Sequence, residues 1–358
     1  MGLLLTVLIV ALVFEYINGF HDTANSIATV VSTKVLHPRQ AIFLATFTNL
    51  AGALVGTAVA KTITSGLVDA KLMGPETIIC ALLGAILWNL LTWWFGLPSS
   101  SSHALVGGLC GATLASAHGD WSAIIWSKVV EGGPWWKNSG ILYKVIYPML
   151  LSPVVGLVVG FLIMTLLYLL LARARPAFVA SFFGKGQLLS AAFMGWSHGS
   201  NDAQKTMGII ALALAAATKA GTLDNTPAFL SFLRVDSAAA AIPVWIKVVC
   251  AVVMAAGTAA GGWRIIKTMG HKMVRLLPVH GFAAETTGAA VLSVAAHYGM
   301  PVSTTHAITT SIMGVGCAKS FSALDLSVIR RILWAWVLTL PVTALLGWLI
   351  QWLWLLCA

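Results

Sequence analysis

Asn18-Gly19-Phe20-His21-Asp22-Thr23-Ala24-Asn25-Ser26 is a polar passage in an apolar chain, and His198-Gly199-Ser200-Asn201-Asp202-Ala203-Gln204-Lys205-Thr206 repeats it, glycine on glycine and aspartate on aspartate. A second pair follows each in the same order: Gly96-Leu97-Pro98-Ser99-Ser100-Ser101-Ser102-His103-Ala104 and Gly299-Met300-Pro301-Val302-Ser303-Thr304-Thr305-His306-Ala307. Duplicated carboxylates, amides and hydroxyls set among hydrocarbon-soluble residues point to the binding of something polar within a membrane.

The background is unambiguous about class. Hydrophobic residues make up 59% of the 358 and charged residues 9%, with a mean hydropathy of +0.90, whereas a soluble domain typically carries about 25% charged residues. Stretches such as 146–171 and 332–356 reach the roughly 20 apolar residues needed to cross a bilayer. The expected fold is therefore an all-α polytopic membrane protein with about 10–12 membrane segments. The net charge of +10 is dispersed between apolar stretches, which suits loops that meet anionic lipid rather than nucleic acid. Arg264, Lys267, Lys272 and Arg275 form the densest basic loop and are placed in the cytoplasm; the absence of Lys or Arg before Lys34 favours an outside N-terminus. Residues 2–14 read as a retained first span, because no basic n-region or small-residue cleavage site accompanies them. The five cysteines lack C-x-x-C spacing and read as small hydrophobes in packed helices.

The polar breaks at 18–23, 98–103, 198–205 and 301–306 leave flanking apolar pieces too short to span alone, so broken and re-entrant helices are expected there. A helix running from Gly2 to Val35 would be about 50 Å long against a hydrocarbon core of about 30 Å, which makes Gly19 a candidate point of unwinding. The duplication divides the chain into a first repeat at 1–171, a basic linker at 172–186 and a second repeat at 187–358. The second repeat is longer between its two motifs, and the polar 218–236 loop is the expected place for the extra residues. Inverted-topology repeats with discontinuous helices are the common transporter solution to such a pattern.

The Ser99–Ser102 and Ser303–Thr305 runs each follow a proline and precede an apolar helical stretch, the order of a capped helix N-terminus. Two such ends, with free N–H groups and a partial positive charge near +0.5, make an anion site from hydroxyls and backbone alone. His103 and His306 are candidates to orient those loops; their spacing carries no metal signature. Asp22 and Asp202 need a proton, a cation or a partner at membrane depth. The oxygen-bearing neighbours Asn18, Thr23, Asn25 and Ser26, and Asn201, Gln204 and Thr206, suit Na⁺, while Lys205 offers Asp202 a plain ion pair. Glu285, in Phe282-Ala283-Ala284-Glu285-Thr286-Thr287, is a further candidate to complete a cation site or carry a proton, and Glu15 is the other acid within an apolar segment.

These motifs resemble the duplicated Gly-x-Asn-Asp signature of the inorganic phosphate transporter (PiT) family, and the Pro-x-Ser-Ser/Thr-Ser/Thr-His runs and the Gly281-Phe-Ala-Ala-Glu285 passage resemble it too. The matches run from residue 18 to residue 307. His21 departs from the family, which usually has Asn there. The resemblance implies a secondary symporter for inorganic phosphate with two inverted repeats around one site. It also implies that Asp22, Asn25 and Asp202 handle ion and phosphate and that the two hydroxyl runs cradle the anion. The resulting expectation has phosphate held by Asn25, Ser100, Ser101, Ser102, Ser303, Thr304 and Thr305. The cation is held by Asp22, Asn25, Asp202 and Asn201, with His103, His306, Glu285, Gln204 and Lys205 in supporting positions.

Na⁺ is preferred as coupling ion because the motifs are rich in oxygen ligands and show no proton-relay chain. Proton coupling, phosphate taken as a metal complex, sulfate as the anion, and an anion channel using the same helix dipoles remain open on the residues alone. An enzyme is not expected: no activated-nucleophile motif or H-E-x-x-H cluster is present, and symmetric duplication suits alternating access better than catalysis. No cofactor beyond the coupling cation is implied. The protein is placed in the cell membrane as a multi-pass chain, its partners being phosphate, the cation and lipid, with a homo-oligomer left open.

Overall fold

The computed structural model describes residues 1–69, 72–224, 226–235 and 242–357. Among them are twelve α-helices whose order runs twice. The first series is α1 (Gly2–Ser32), α2 (Pro38–Ala53), α3 (Ala58–Ser65), α4 (Pro75–Trp94), α5 (Ser101–Ser116) and α6 (Tyr147–Leu170). The second is α7 (Pro176–Lys219), α8 (Val244–Ala260), α9 (Trp263–Lys267), α10 (Pro278–His297), α11 (Thr304–Lys319) and α12 (Leu326–Cys357). Five helices (α1, α4, α6 with the turn before it, α7 and α12) are individually long and apolar enough to cross a membrane, and up to seven spans result if each bent pair is counted as one. Those pairs occupy matching places in the two series: α2 with α3, bent by 67°, and α8 with the α9 segment, bent by 59°. At 16 residues each, α5 and α11 are about 24 Å long, too short to cross, and each starts at its proline-led hydroxyl run as a re-entrant helix does.

Packing crosses between the two series reciprocally. Helix α5 lies on α12 and α11 on α6; α1 lies on α8 and α7 on α2; within each series α1 meets α4 and α7 meets α10. Buried apolar side chains form two separate clusters, and each draws on both series. One joins Leu4–Ile17 of α1 to the Ala203–Ala217 part of α7 with α3, α4, α5 and α8. The other joins Ala24–Val30 of α1 to the Phe183–Met194 part of α7 with α9, α10 and α11. The front of α1 thus shares a core with the back of α7, so the equivalent helices run antiparallel and the two series have inverted topology. The two series meet in sequence at a turn over 171–174, and most of the 172–186 stretch expected as a linker lies within α7, which begins at Pro176. The longer second series takes up its extra length between Lys219 and Val244, as the loop at 218–236 leads one to expect; Asn225 and Asp236 of that loop lie outside the described residues.

The expected unwinding at 18–23 and 198–205 is not what the chain does. Both α1 and α7 run unbroken through these passages. Gly19 serves contact instead: a Cβ there would collide with the Met254 carbonyl oxygen and lie 3.1 Å from the Gly257 Cα of α8. Gly199 stands in the same relation to the Asn49 backbone of α2. Without a hydrophobic drive between helices in lipid, such small residues let backbones approach and gain dispersion contacts. The breaks fall in the partners α2–α3 and α8–α9. The 31 residues of α1, about 46 Å, exceed the hydrocarbon core, and a long helix meets that excess by tilting or emerging.

Gly19→Val is expected to hold α1 off α8 and to destabilise the protein by about 1–3 kcal/mol, the usual cost of overpacking a tight interface. Thermal unfolding in detergent reads this as a lowered Tm.

Candidate functional site

A polar seam lies between the two cores, formed by residues 18–26 of α1, 197–206 of α7 and the starts of α5 and α11. Its side chains are almost wholly buried, Asp22 at 2% and Asp202 at 0% exposure. Each short helix is capped as its sequence predicts: Ser100 Oγ accepts from the His103 N–H and Ser303 Oγ from the His306 N–H, both at 3.1 Å. Capping occupies Ser100 and Ser303, so the hydroxyls turned to the seam are those of Ser101, Ser102, Thr304 and Thr305. Because α5 belongs to one core and α11 to the other, these N-termini approach from opposite sides.

The hydroxyls meet the aspartates. Ser101 donates to Asp22 Oδ2 at 2.6 Å, and Thr305 reaches Asp22 Oδ1 at 3.5 Å. Thr304 donates to Asp202 Oδ2 at 3.2 Å. Asn25 Nδ2 donates to Thr304 and Thr305, both at 3.0 Å, tying the α1 motif to the opposite series. Lys205 donates to Asp202 Oδ1 and to Ser102 Oγ, and Ser102 donates onward to the Val302 carbonyl at 3.1 Å. His21 Nδ1 lies 2.7 Å from Asp22 Oδ1, and its Nε2 lies 3.1 Å from Thr92 Oγ1, which Ser99 also reaches at 2.8 Å. His21 is thereby locked between the carboxylate and α4.

The two carboxylates and His198 offer ligand atoms that all lie within 4.8 Å of one another. His198 Nε2 is 3.1 Å from Asp202 Oδ2 without hydrogen-bond alignment, and its Nδ1 is held 3.0 Å from Asn49 Oδ1. Several buried acceptors nearby have no hydrogen-bond partner: Asn18 Oδ1, Asn25 Oδ1 and Asn201 Oδ1. Buried polar atoms are rarely left unpaired, and two carboxylates and an imidazole with ligand atoms this close suit a small cation. His198 was not among the residues picked from sequence. It stands four positions before Asp202, so the two share a helix face, a signal that the expected unwinding concealed.

Other candidates are placed elsewhere. Gln204 faces the α2–α3 break, accepting from the Val59 N–H at 2.9 Å and donating to the Ser200 carbonyl, so it fills a gap in a neighbouring helix and touches neither aspartate. Glu285 sits in a separate cluster, accepting from Thr29 at 2.5 Å, Gln187 at 3.0 Å and Ser190 at 2.5 Å. Glu15 accepts from Thr206, with its second oxygen unpartnered. His103 and His306 do not orient their loops through ring hydrogen bonds, since none of their ring nitrogens has a partner. They pack edge-on at 4.9 Å between ring centres, and His306 stacks on Trp336 at 3.9 Å.

A family profile described as the phosphate transporter family matches residues 18–347. The chain is 42% identical over 349 residues to a "probable low-affinity inorganic phosphate transporter" of Bacillus subtilis (strain 168), covering 96% of each. It is also 42% identical to a protein of the same description from Rhizobium meliloti (strain 1021), covering 96% of this chain and 94% of that one. Among solved structures, one described as "The sodium-dependent phosphate transporter" superposes with a TM-score of 0.81 at 22% identity over the whole of both chains. The two chains share a fold.

Replacing Gln204 by Leu leaves the Val59 N–H at the α2–α3 break without its acceptor. The expected loss is about 1–3 kcal/mol, the penalty for an unsatisfied buried group, read as a lower Tm for the purified protein.

Proposed function

Because the chain belongs to the phosphate transporter family, we propose that it carries inorganic phosphate across the cell membrane by alternating access, as a symporter coupled to Na⁺. The observation that carries this reading is the convergence of two oppositely directed helix N-termini, with their hydroxyls, on a pair of buried carboxylates. Phosphate is held by Ser101, Ser102, Thr304, Thr305 and Asn25 Nδ2 with the N–H groups at the starts of α5 and α11. Na⁺ is held by Asp22 and Asp202 with the unpartnered oxygens of Asn25 and Asn201 and with His198.

Coupling follows from competition for the same atoms. Ser101, Thr304 and Thr305 direct their protons to the carboxylates. A cation that takes the carboxylate lone pairs releases those protons to an incoming anion. It also removes the repulsion that phosphate would meet from two carboxylates in a medium of low dielectric constant. Each ligand thereby raises the affinity for the other, as linkage requires. The seam is the boundary between two independently packed cores, so a rocking of one core on the other opens the site to alternate sides without unfolding either. This motion divides the molecule by core rather than at residues 172–186.

Na⁺ is favoured over H⁺ by the density of oxygen ligands and by the sodium dependence that the structural relative's name states of that protein. Labelled phosphate uptake into proteoliposomes, with Na⁺ and pH gradients imposed separately and sulfate as competitor, tests the reading. Accumulation driven by inward Na⁺ and resistant to sulfate supports it. Accumulation that follows the pH gradient moves the assignment to proton coupling, and equilibration without accumulation moves it to a channel. Asp22→Asn is expected to lower Na⁺-driven uptake by about 100-fold or more, in line with the several kcal/mol at stake in a buried charge site. Thr305→Ala is expected to raise the phosphate half-saturation concentration by about 10-fold, the loss of one charge-assisted hydrogen bond.

A further inference from the structure

The two motifs differ at several positions, Asn18 against His198 and His21 against Asn201 among them, and one of these differences sets a full positive charge against an amide. Asn25 stands three residues after Asp22, and Lys205 three residues after Asp202. Both reach the helix start of the opposite series, Asn25 to Thr304 and Thr305 and Lys205 to Ser102. Only Lys205 also contacts the aspartate of its own motif, through an ion pair to Asp202 Oδ1. Its side chain is 1% exposed, so its charge is compensated inside the protein or not at all. Its ammonium lies between a carboxylate and a hydroxyl at the mouth of α5, the place that a bound cation would take beside Asp202. The other aspartate has a neutral amide at the matching position, and its oxygens meet the His21 ring and the Ser101 and Thr305 hydroxyls rather than an ammonium.

Resting on the symport reading, we propose that Lys205 is a tethered cation: it fills one of two equivalent cation places, so the cycle needs one mobile cation fewer than a centre with asparagine at both positions. Two carboxylates in a low-dielectric seam require two positive charges for neutrality. The chain supplies one of them covalently. The mobile ion is left with Asp22, His198 and the Oδ2 of Asp202 that Lys205 does not take, and the tethered charge travels nowhere, so it adds to anion affinity without adding to the driving force.

The full chain reconstituted in liposomes tests this, with initial rates of labelled phosphate uptake measured against Na⁺ concentration at fixed pH and clamped membrane potential. Lys205→Asn, which restores the symmetric pair, is expected to steepen the dependence at low Na⁺, its logarithmic slope rising by about one relative to wild type, as one more ion is needed to neutralise the seam. Lys205→Ala is expected to regain transport, with the wild-type slope, when millimolar ethylammonium supplies the missing charge. The proposal is overturned if Lys205→Asn transports with an unchanged slope, including the case where only the phosphate half-saturation rises, which marks Lys205 as a phosphate ligand. It is equally overturned if Lys205→Asn and amine-supplemented Lys205→Ala are both inactive while retaining the wild-type Tm. Failure of the symport reading itself is distinguishable, because wild-type liposomes would then show no Na⁺-driven accumulation.

Discussion

Two aspartates, Asp22 and Asp202, face one another at membrane depth, and the arrangement around them answers the cost of keeping carboxylates there. Neither is left to lipid. Hydroxyls from two helix starts, two imidazoles and one ammonium surround the pair. To bring those groups together, α5 and α11 must begin in the middle of the protein, which makes them short and re-entrant. Their first turns carry unpaired N–H groups, and burying such ends is tolerable only opposite negative charge or an anion. The carboxylates and the helix starts therefore depend on one another.

The inverted topology follows from the same need. A single motif would bring one helix start to one carboxylate and leave the opposite wall apolar. Two antiparallel copies bring both starts to a common centre, each from its own core. Since each core draws helices from both series, the sequence repeats are interleaved, and the polar seam runs between the two apolar clusters. The departure of Lys205 from the symmetric pattern shows that the two copies have diverged in charge while keeping their geometry.

How much of this was legible beforehand can be judged residue by residue. The membrane class, the duplication and the proline-led hydroxyl caps of the two short helices were readable, because they depend on composition, local order and the high cost of charge in hydrocarbon; that hydroxyls of those helix starts donate to Asp22 and Asp202 was not. Gly19 was misread as a point of unwinding, and a break was expected at 198–205 where Gly199 packs on α2. A glycine in a membrane helix serves either a break or a close approach, and only the positions of Met254, Gly257 and Asn49 decide between them. Keeping α7 helical is also what places His198 over Asp202. Gln204 belonged to the polar motif by position, yet it fills the break in α3's neighbourhood, a partner chosen by packing across series.

What the chain alone determined is local and compositional: helices by apolar length, helix starts by proline and hydroxyl, and two buried charges that demand compensation. These properties need no knowledge of neighbours, because propensity, capping and desolvation act over a few residues. The tertiary structure decided which helix meets which, that the equivalent helices run antiparallel, where the helices break, and that one lysine occupies a place its counterpart asparagine leaves open. Those choices arise from contacts between residues far apart in sequence, whose energies depend on shape and distance rather than on residue type.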